Sequence, residues 1–216
     1  MLNAYERIAV RLRGDPAVDR APNFNTLMAL AAHRVGAPLA RFYLDYRVLC
    51  EANLAVLSDF SRDRVGTISD PYGETADWGA AIEFPEDDLL RCTAPFLQTR
   101  DDIRTLTPIQ PASDSQMSNR LQALDYYRSQ VGGRVLAVAR DTCQGLAVNG
   151  NCDPVAVMPR GTPDQVHQAA SQCLVQGGPR CFSMAGCEIP VGTPDASLLA
   201  HAQALREYGS RHGAPV

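Results

Sequence analysis

Three short stretches hold the side chains best suited to chemistry: Ser69-Asp70-Pro71-Tyr72, Asn149-Gly150-Asn151-Cys152-Asp153-Pro154 and Ala185-Gly186-Cys187-Glu188. Each stands where a strand-like apolar run gives way to a polar loop. A carboxylate in such a place, Asp70 above all, is a candidate for chemistry at the carboxyl end of a strand. Cys187, set between Gly186 and Glu188, is the cysteine whose surroundings least resemble a packed apolar core, which makes it the candidate functional thiol. Plainer readings stand beside these. Asp70 and Asp153 both precede proline and suit turns in which the carboxylate bonds its own backbone, and Asn151 and Asp153 equally suit shaping a strand end. Cys187 equally suits an idle loop thiol. Tyr72 and Trp78, near Asp70, either line a pocket or pack the end of the sheet. Arg160 and Arg180 read as solvated arginines or as partners for substrate carboxylates.

Composition narrows the classes. The chain has 216 residues, 45% apolar and 20% charged, with a net charge of −4, which suits one domain or at most two. No apolar run approaches the roughly eighteen residues of a membrane span, and Met1 to Arg20 offer no basic head, apolar core and cleavage site. A cytoplasmic protein with no membrane partner is therefore expected. All 20 basic residues are Arg, which removes Schiff-base and P-loop lysine chemistry. Net negative charge without an Arg cluster disfavours nucleic acid. The seven cysteines are odd in number and irregularly spaced, as reduced thiols are, and no CxxC, HExxH or HxxxH pattern marks a zinc site.

The elements that must position these residues alternate. Helices are predicted over Ala4–Arg13 with Tyr5, Ile8, Ala9 and Leu12 facing inward, over Leu27–Val35, over roughly Leu39–Phe60, and over Met117–Val131. An extended segment is predicted at Pro22–Thr26, and strands at Arg64–Asp70, Arg134–Ala139, Leu146–Gly150 and Arg180–Met184. Ala80–Thr107 reads as a hairpin or irregular excursion. Gly-Thr-Pro-Asp occurs twice, at Gly161–Asp164 and Gly192–Asp195, and predicts two helix starts with Thr162 and Thr193 as caps and proline in the first turn. Leu198, Leu199, Ala202 and Leu205 then make the inner face of the last helix. Strands alternating with capped helices define an α/β fold with parallel strands and chemistry at their carboxyl ends.

Four blocks in order, Thr67–Tyr72, Gly79–Phe84, Asn149–Pro154 and Gly186–Pro194, resemble the uroporphyrinogen decarboxylase superfamily, and within it the corrinoid-dependent methylcobamide:coenzyme M methyltransferase branch. The resemblance implies a TIM-type (β/α)₈ barrel with its site at the carboxyl-terminal mouth. It implies substrate orientation by Asp70, through N–H groups of a tetrapyrrole in the decarboxylases, and zinc ligation by Cys187, with Asn151 and Asp153 near the chemistry. Beside that site Tyr72 and Trp78 are the expected substrate contacts, lining a pocket for a flat macrocycle or packing the barrel end. Zinc in that branch makes a thiolate that takes a methyl group from a corrinoid. A corrinoid or tetrapyrrole substrate and a corrinoid protein are the implied partners.

Two departures matter. The branch draws its other zinc ligands from a His-x-Cys pair, and this sequence has none, so Cys152, Cys143 or Glu188 would have to converge on Cys187. Residues up to Val135 resemble an early part of the family barrel, while those from Leu136 resemble its end. The chain thus reads as a single domain, 1–135 and 136–216, of an incomplete barrel lacking its middle strands and helices. A barrel opened in this way must cover its edges or pair them, as in a homo-oligomer. The functions implied are corrinoid–thiol methyl transfer, uroporphyrinogen decarboxylation, or partner binding by an inactive paralogue.

Overall fold

In the computed structural model, which describes residues 2–15, 18–113, 115–138, 148–149 and 152–212, the chain opens on helix α1 (Ala4–Leu12). Asn3 and Glu6 form a reciprocal capping box at its start. The buried face is Ala4, Arg7, Ile8 and Arg11, while Tyr5 and Leu12 face solvent. The expected apolar stripe is therefore rotated, because two arginines find buried acceptors. Arg11 donates to the carbonyls of Cys181 (2.9 Å) and Gly178 (3.0 Å) and lies over the Tyr208 ring. Arg7 pairs with Asp19 and Asp63.

Segment 22–26 is extended, as expected, and leads into α2 (Met28–Arg34). The predicted helix over Leu39–Phe60 is two helices, α3 (Leu39–Leu44) and α4 (Tyr46–Asp59). Asp45 leaves the helical region between them and accepts the Arg47 N–H at 3.0 Å, capping α4. Strand β1 (Arg64–Gly66) follows, then α5 (Gly73–Asp77) and an antiparallel hairpin of β2 (Ala81–Glu83) and β3 (Arg91–Ala94). A short 3₁₀ turn (Asp101–Thr105) precedes α6 (Ser115–Val131) and β4 (Leu136–Val138). The last part comprises β5 (Val148–Asn149), α7 (Pro163–Gly177), β6 (Cys181–Phe182) and α8 (Asp195–His212).

The two Gly-Thr-Pro-Asp repeats diverge. Thr162 caps α7 in a full box with Gln165, whereas α8 begins at Asp195 and the buried Thr193 hydroxyl has no partner among the described residues. Leu198, Ala202 and Leu205 are buried along α8, but Leu199 is about half exposed and His201 takes its place inside.

Strand β1 runs parallel to β4, with Arg64 opposite Leu136 and Gly66 opposite Val138, and β5 runs parallel to β6. Parallel bridges extend the second pair: Asn23 to Ser183, Thr26 to Glu188 and Cys152 to Ala185. A backbone hydrogen bond from Asp63 N–H to the Asn23 carbonyl (3.0 Å) joins the two groups. The order across the molecule is therefore β4, β1, segment 22–26, β6, β5. Phe42, Leu49, Val56, Val65, Tyr127 and Leu198 belong to the main core packed against these segments. No helix among the described residues is long and apolar enough to cross a membrane.

The junction of β1 with segment 22–26 is sewn by side chains. Arg62 Nε donates to the Asn25 carbonyl (2.9 Å), Arg64 Nε to the Phe24 carbonyl (3.0 Å), and the fully buried Asp63 accepts from Arg7, Arg20 and the Asn23 N–H (2.7 Å). On the other side, Asn25 accepts the Ala185 N–H through Oδ1 (2.7 Å), which directs its amide N–H to His201 Nδ1 (3.2 Å). The proton of His201 then sits on Nε2, facing the Ser183 hydroxyl at 2.9 Å. Burial pulls the His201 imidazole down to about 4.

Two predictions follow from these contacts. Asp63→Asn leaves Arg20 without its carboxylate and Arg7 with Asp19 alone, and is expected to cost about 3–5 kcal/mol in urea unfolding, whereas Thr193→Val, which removes a hydroxyl with no partner among the described residues, leaves stability unchanged or raised. His201 binds its proton more readily unfolded than folded. Its contribution is complete above the ordinary histidine value and is lost as pH falls from about 6.5 towards about 4. Wild type is expected to lose about 3 kcal/mol across that window, and a folded His201→Gln variant much less.

Candidate functional site

The carboxyl ends of the parallel segments bring Asp70, Glu188 and the start of α2 to one mouth. Beyond β1 the chain runs through Thr67 to Asp70, whose side chain has no solvent exposure. Ser69 donates its hydroxyl to Asp70 Oδ2, and the Tyr72 N–H donates to Oδ1 at 2.7 Å. Arg120, from α6, reaches Asp70 Oδ2 at 3.4 Å and its carbonyl at 3.3 Å, and pairs with Glu74 at 3.2 Å. Gly73 makes this reach possible, since a Cβ there would lie 2.1 Å from Arg120 Nη2. Asp70 thus forms the predicted Asx-type turn and also faces a cavity of about 240 Å³, shared with Tyr43, Tyr72, Leu90, Met28 and Glu188.

Glu188 enters from beyond β6. Its carboxylate accepts the Ala29 N–H at 2.7 Å and so caps α2, which has no local side-chain cap. Burial pushes its carboxyl up, partly offset by that hydrogen bond. The Tyr43 hydroxyl is raised too, first by burial and then by the charges of Glu188, Asp70 and Asp88. Tyr72 also borders a second, apolar cavity of about 350 Å³ with Trp78, Phe96, Leu97 and Leu106, under the β2–β3 excursion. The Trp78 indole N–H donates to the Thr107 carbonyl at 2.9 Å.

The other sequence candidates lie elsewhere. Asp153 is exposed and accepts the N–H groups of Val155 (2.8 Å) and Ala156 (2.7 Å), which lower its carboxyl. Asn151 and Cys143 fall outside the described residues. Arg160 and Arg180 are exposed, and Arg180 stands at the amino end of β6, opposite the mouth.

A catalytic zinc takes three protein ligands and an open position. Cys187 is exposed, and among the described residues no three His, Cys, Asp or Glu side chains gather to hold a metal ion. Cys152 is buried, and its thiol is pushed up to about 12 by burial and by Cys173 and Cys181. The donor set among the described residues does not fit zinc.

Sequence reasoning did not single out Tyr43, Arg120 or Gly73, and weighed Glu188 only as a metal ligand. Gly73 opening α5 was the one local signal; nothing near Arg120 or Tyr43 in the chain marks their partners.

Comparison with known proteins places the chain. The model of the uroporphyrinogen decarboxylase (URO-D) family matches residues 5–140 and 135–208, and the chain belongs to that family. A methylated-thiol–coenzyme M methyltransferase of Methanosarcina mazei is 32% identical over 62 residues, 29% of this chain and only 16% of that relative's length. A solved methyltransferase from Methanosarcina mazei shares the fold, with a TM-score of 0.63 at 14% identity over 96% of this chain and 99% of that one.

Gly73→Ala is expected to expel Arg120 while the backbone stays in place, leaving Asp70 short of a partner. Urea unfolding should show a loss of about 1–3 kcal/mol, closely matched by Arg120→Met.

Proposed function

We propose that this chain is a methyl-transfer protein of the URO-D family that engages a corrinoid at the carboxyl-terminal mouth around Asp70. One observation carries the reading: a fully buried carboxylate, fixed by Ser69, the Tyr72 N–H and Arg120, faces a cavity whose Tyr72 wall continues into an apolar cavity lined by Trp78. A flat macrocycle needs an apolar wall, which Tyr72 and Trp78 offer, and the oriented Asp70 carboxylate stands directly behind the mouth beside it. The resemblance to methyltransferases supports methyl transfer over decarboxylation. The acceptor in this proposal is a thiol or related group.

The chain's own residues supply orientation and exclusion of water. Asp70, its carboxylate engaged by Ser69, the Tyr72 N–H and Arg120 and without exposure of its own, fixes the shape of the mouth and places negative charge directly behind its surface. Tyr72 and Trp78 offer apolar area with few rotatable bonds. Zinc, in the methyltransferase branch, would supply thiol activation; the described donor set does not fit it, so activation comes from a partner or is absent. We read the five parallel segments as an incomplete barrel, its middle missing at residues 135–140, where the two family matches meet. A second copy of the chain or a corrinoid protein then covers the open edges.

Trp78 is the single tryptophan, so its emission reports on the mouth. Titrated methylcobalamin is expected to quench it saturably, with affinity at least about tenfold weaker in Asp70→Asn, a loss of about 1.4 kcal/mol. Quenching that only tracks inner-filter absorption contradicts corrinoid binding. Loss of the methyl–cobalt absorption on adding a thiol would extend the result to transfer.

A further inference from the structure

The cavity of about 240 Å³ differs in character from its apolar neighbour. It is smaller than the roughly 300–1,000 Å³ of sites for drug-sized ligands, so its occupant is small. Glu188 contributes a carboxylate to its lining, Tyr43 and Tyr72 contribute aromatic walls, Met28 and Leu90 supply apolar area, and the unexposed Asp70 carboxylate lies behind that surface. Among the described residues no arginine or histidine lines it.

The charges around it do not cancel. Arg120 answers Asp70 at 3.4 Å, but it also pairs with Glu74 at 3.2 Å and is not among the lining residues. Glu188 holds one backbone N–H and, among the described residues, no cationic partner. A carboxylate in this state has lost water without gaining a counter-charge, the arrangement that an incoming cation relieves. The raised Tyr43 hydroxyl registers the same negative field, after burial, from Glu188, Asp70 and Asp88. An anion would meet Glu188 with the Asp70 charge behind it, and a neutral alkyl group would leave Glu188 unanswered. A small alkylated cation answers Glu188 directly while its alkyl surface meets the aromatic and aliphatic walls.

We propose that the cavity bounded by Tyr43, Tyr72, Asp70 and Glu188 is a binding site for a small organic cation of the methylated ammonium class. This deepens the reading of the same mouth as a ligand site, but its test needs no corrinoid. Calorimetric titration of the full chain with tetramethylammonium chloride, neopentyl alcohol and pivalate compares cation, neutral and anion of similar size. Tetramethylammonium is expected to bind at least about fivefold more tightly than neopentyl alcohol, with pivalate weaker than either and with cation affinity falling as salt is raised.

Glu188→Gln keeps an acceptor for the Ala29 N–H and removes the charge. It is expected to bring the cation to the level of the neutral compound, with circular dichroism unchanged. Equal affinity for the cation and neopentyl alcohol in wild type overturns the proposal, whether or not the variant folds. So does a folded Glu188→Gln variant with undiminished cation binding. Cation binding without corrinoid binding would remove the methyl-transfer reading and leave this one; the reverse result would do the opposite.

Discussion

The arrangement depends first on a buried carboxylate. Asp63 has no exposure, and its two oxygens are filled by Arg7 from α1, by Arg20 and by the Asn23 N–H. It is flanked by Arg62 and Arg64, which spend their donors on the carbonyls of Asn25 and Phe24. A regular ladder would join two central parallel strands through the backbone alone. Here one backbone hydrogen bond and a tripeptide of charged side chains do that work, and α1 is drawn in by the same acceptor. Burying such charges is costly unless every donor and acceptor is answered, so the knot specifies one register between β1 and segment 22–26 as well as holding it. Arg62 shows the cost. Burial, with the neighbouring Arg64 charge, pulls it down to about 9, because its hydrogen-bonding partners are neutral.

That register decides what the mouth contains. Asp70 lies four residues past β1, Glu188 lies just past Ala185, and Ala29 lies at the start of the helix that segment 22–26 feeds. A slip of one residue in any of these alignments would turn Asp70 or Glu188 out of the cavity. Glu188 closes the loop from the other end by capping α2 with a carboxylate 159 residues away in sequence. The residues that define the cavity are therefore also those that hold its walls in place. Structural and binding roles overlap at Glu188, which caps α2 and lines the cavity, while the unexposed Asp70 carboxylate forms a turn directly behind it.

Much of this was legible in the sequence where the signal is local. The capping box at Thr162, the extended segment at Pro22–Thr26, the hairpin excursion after Ala80 and the delivery of Asp70 into a loop all rest on neighbouring residues. Where reading failed, distant partners had overruled local preference. The inner face of α1 could not be read as Arg7 and Arg11, because nothing in α1 reveals acceptors on Asp63 and Cys181. Asp45 looked like one polar residue in a long helix, yet its bonds to Arg41 and the Arg47 N–H make it a break and a cap. The second Gly-Thr-Pro-Asp repeated the letters of the first without a glutamine three residues beyond the threonine, and its hydroxyl stays unanswered among the described residues. The candidate site divides in the same way. Asp70 and Tyr72 were marked by strand-end position, whereas Tyr43 and Arg120 reach the mouth only through the packing of α3 and α6.

The central claim is that the carboxyl-terminal mouth, organised from Asp63 through to Asp70 and Glu188, is where this URO-D family member meets its ligand. Hydrogen–deuterium exchange of the full chain with and without methylcobalamin tests it most directly. Added protection concentrated in segments 69–73 and 186–190 and on the hairpin strands β2 and β3 is the predicted result. Protection confined to the opposite end of the parallel segments, around Arg180 and the amino ends of β1 and β6, would contradict the account.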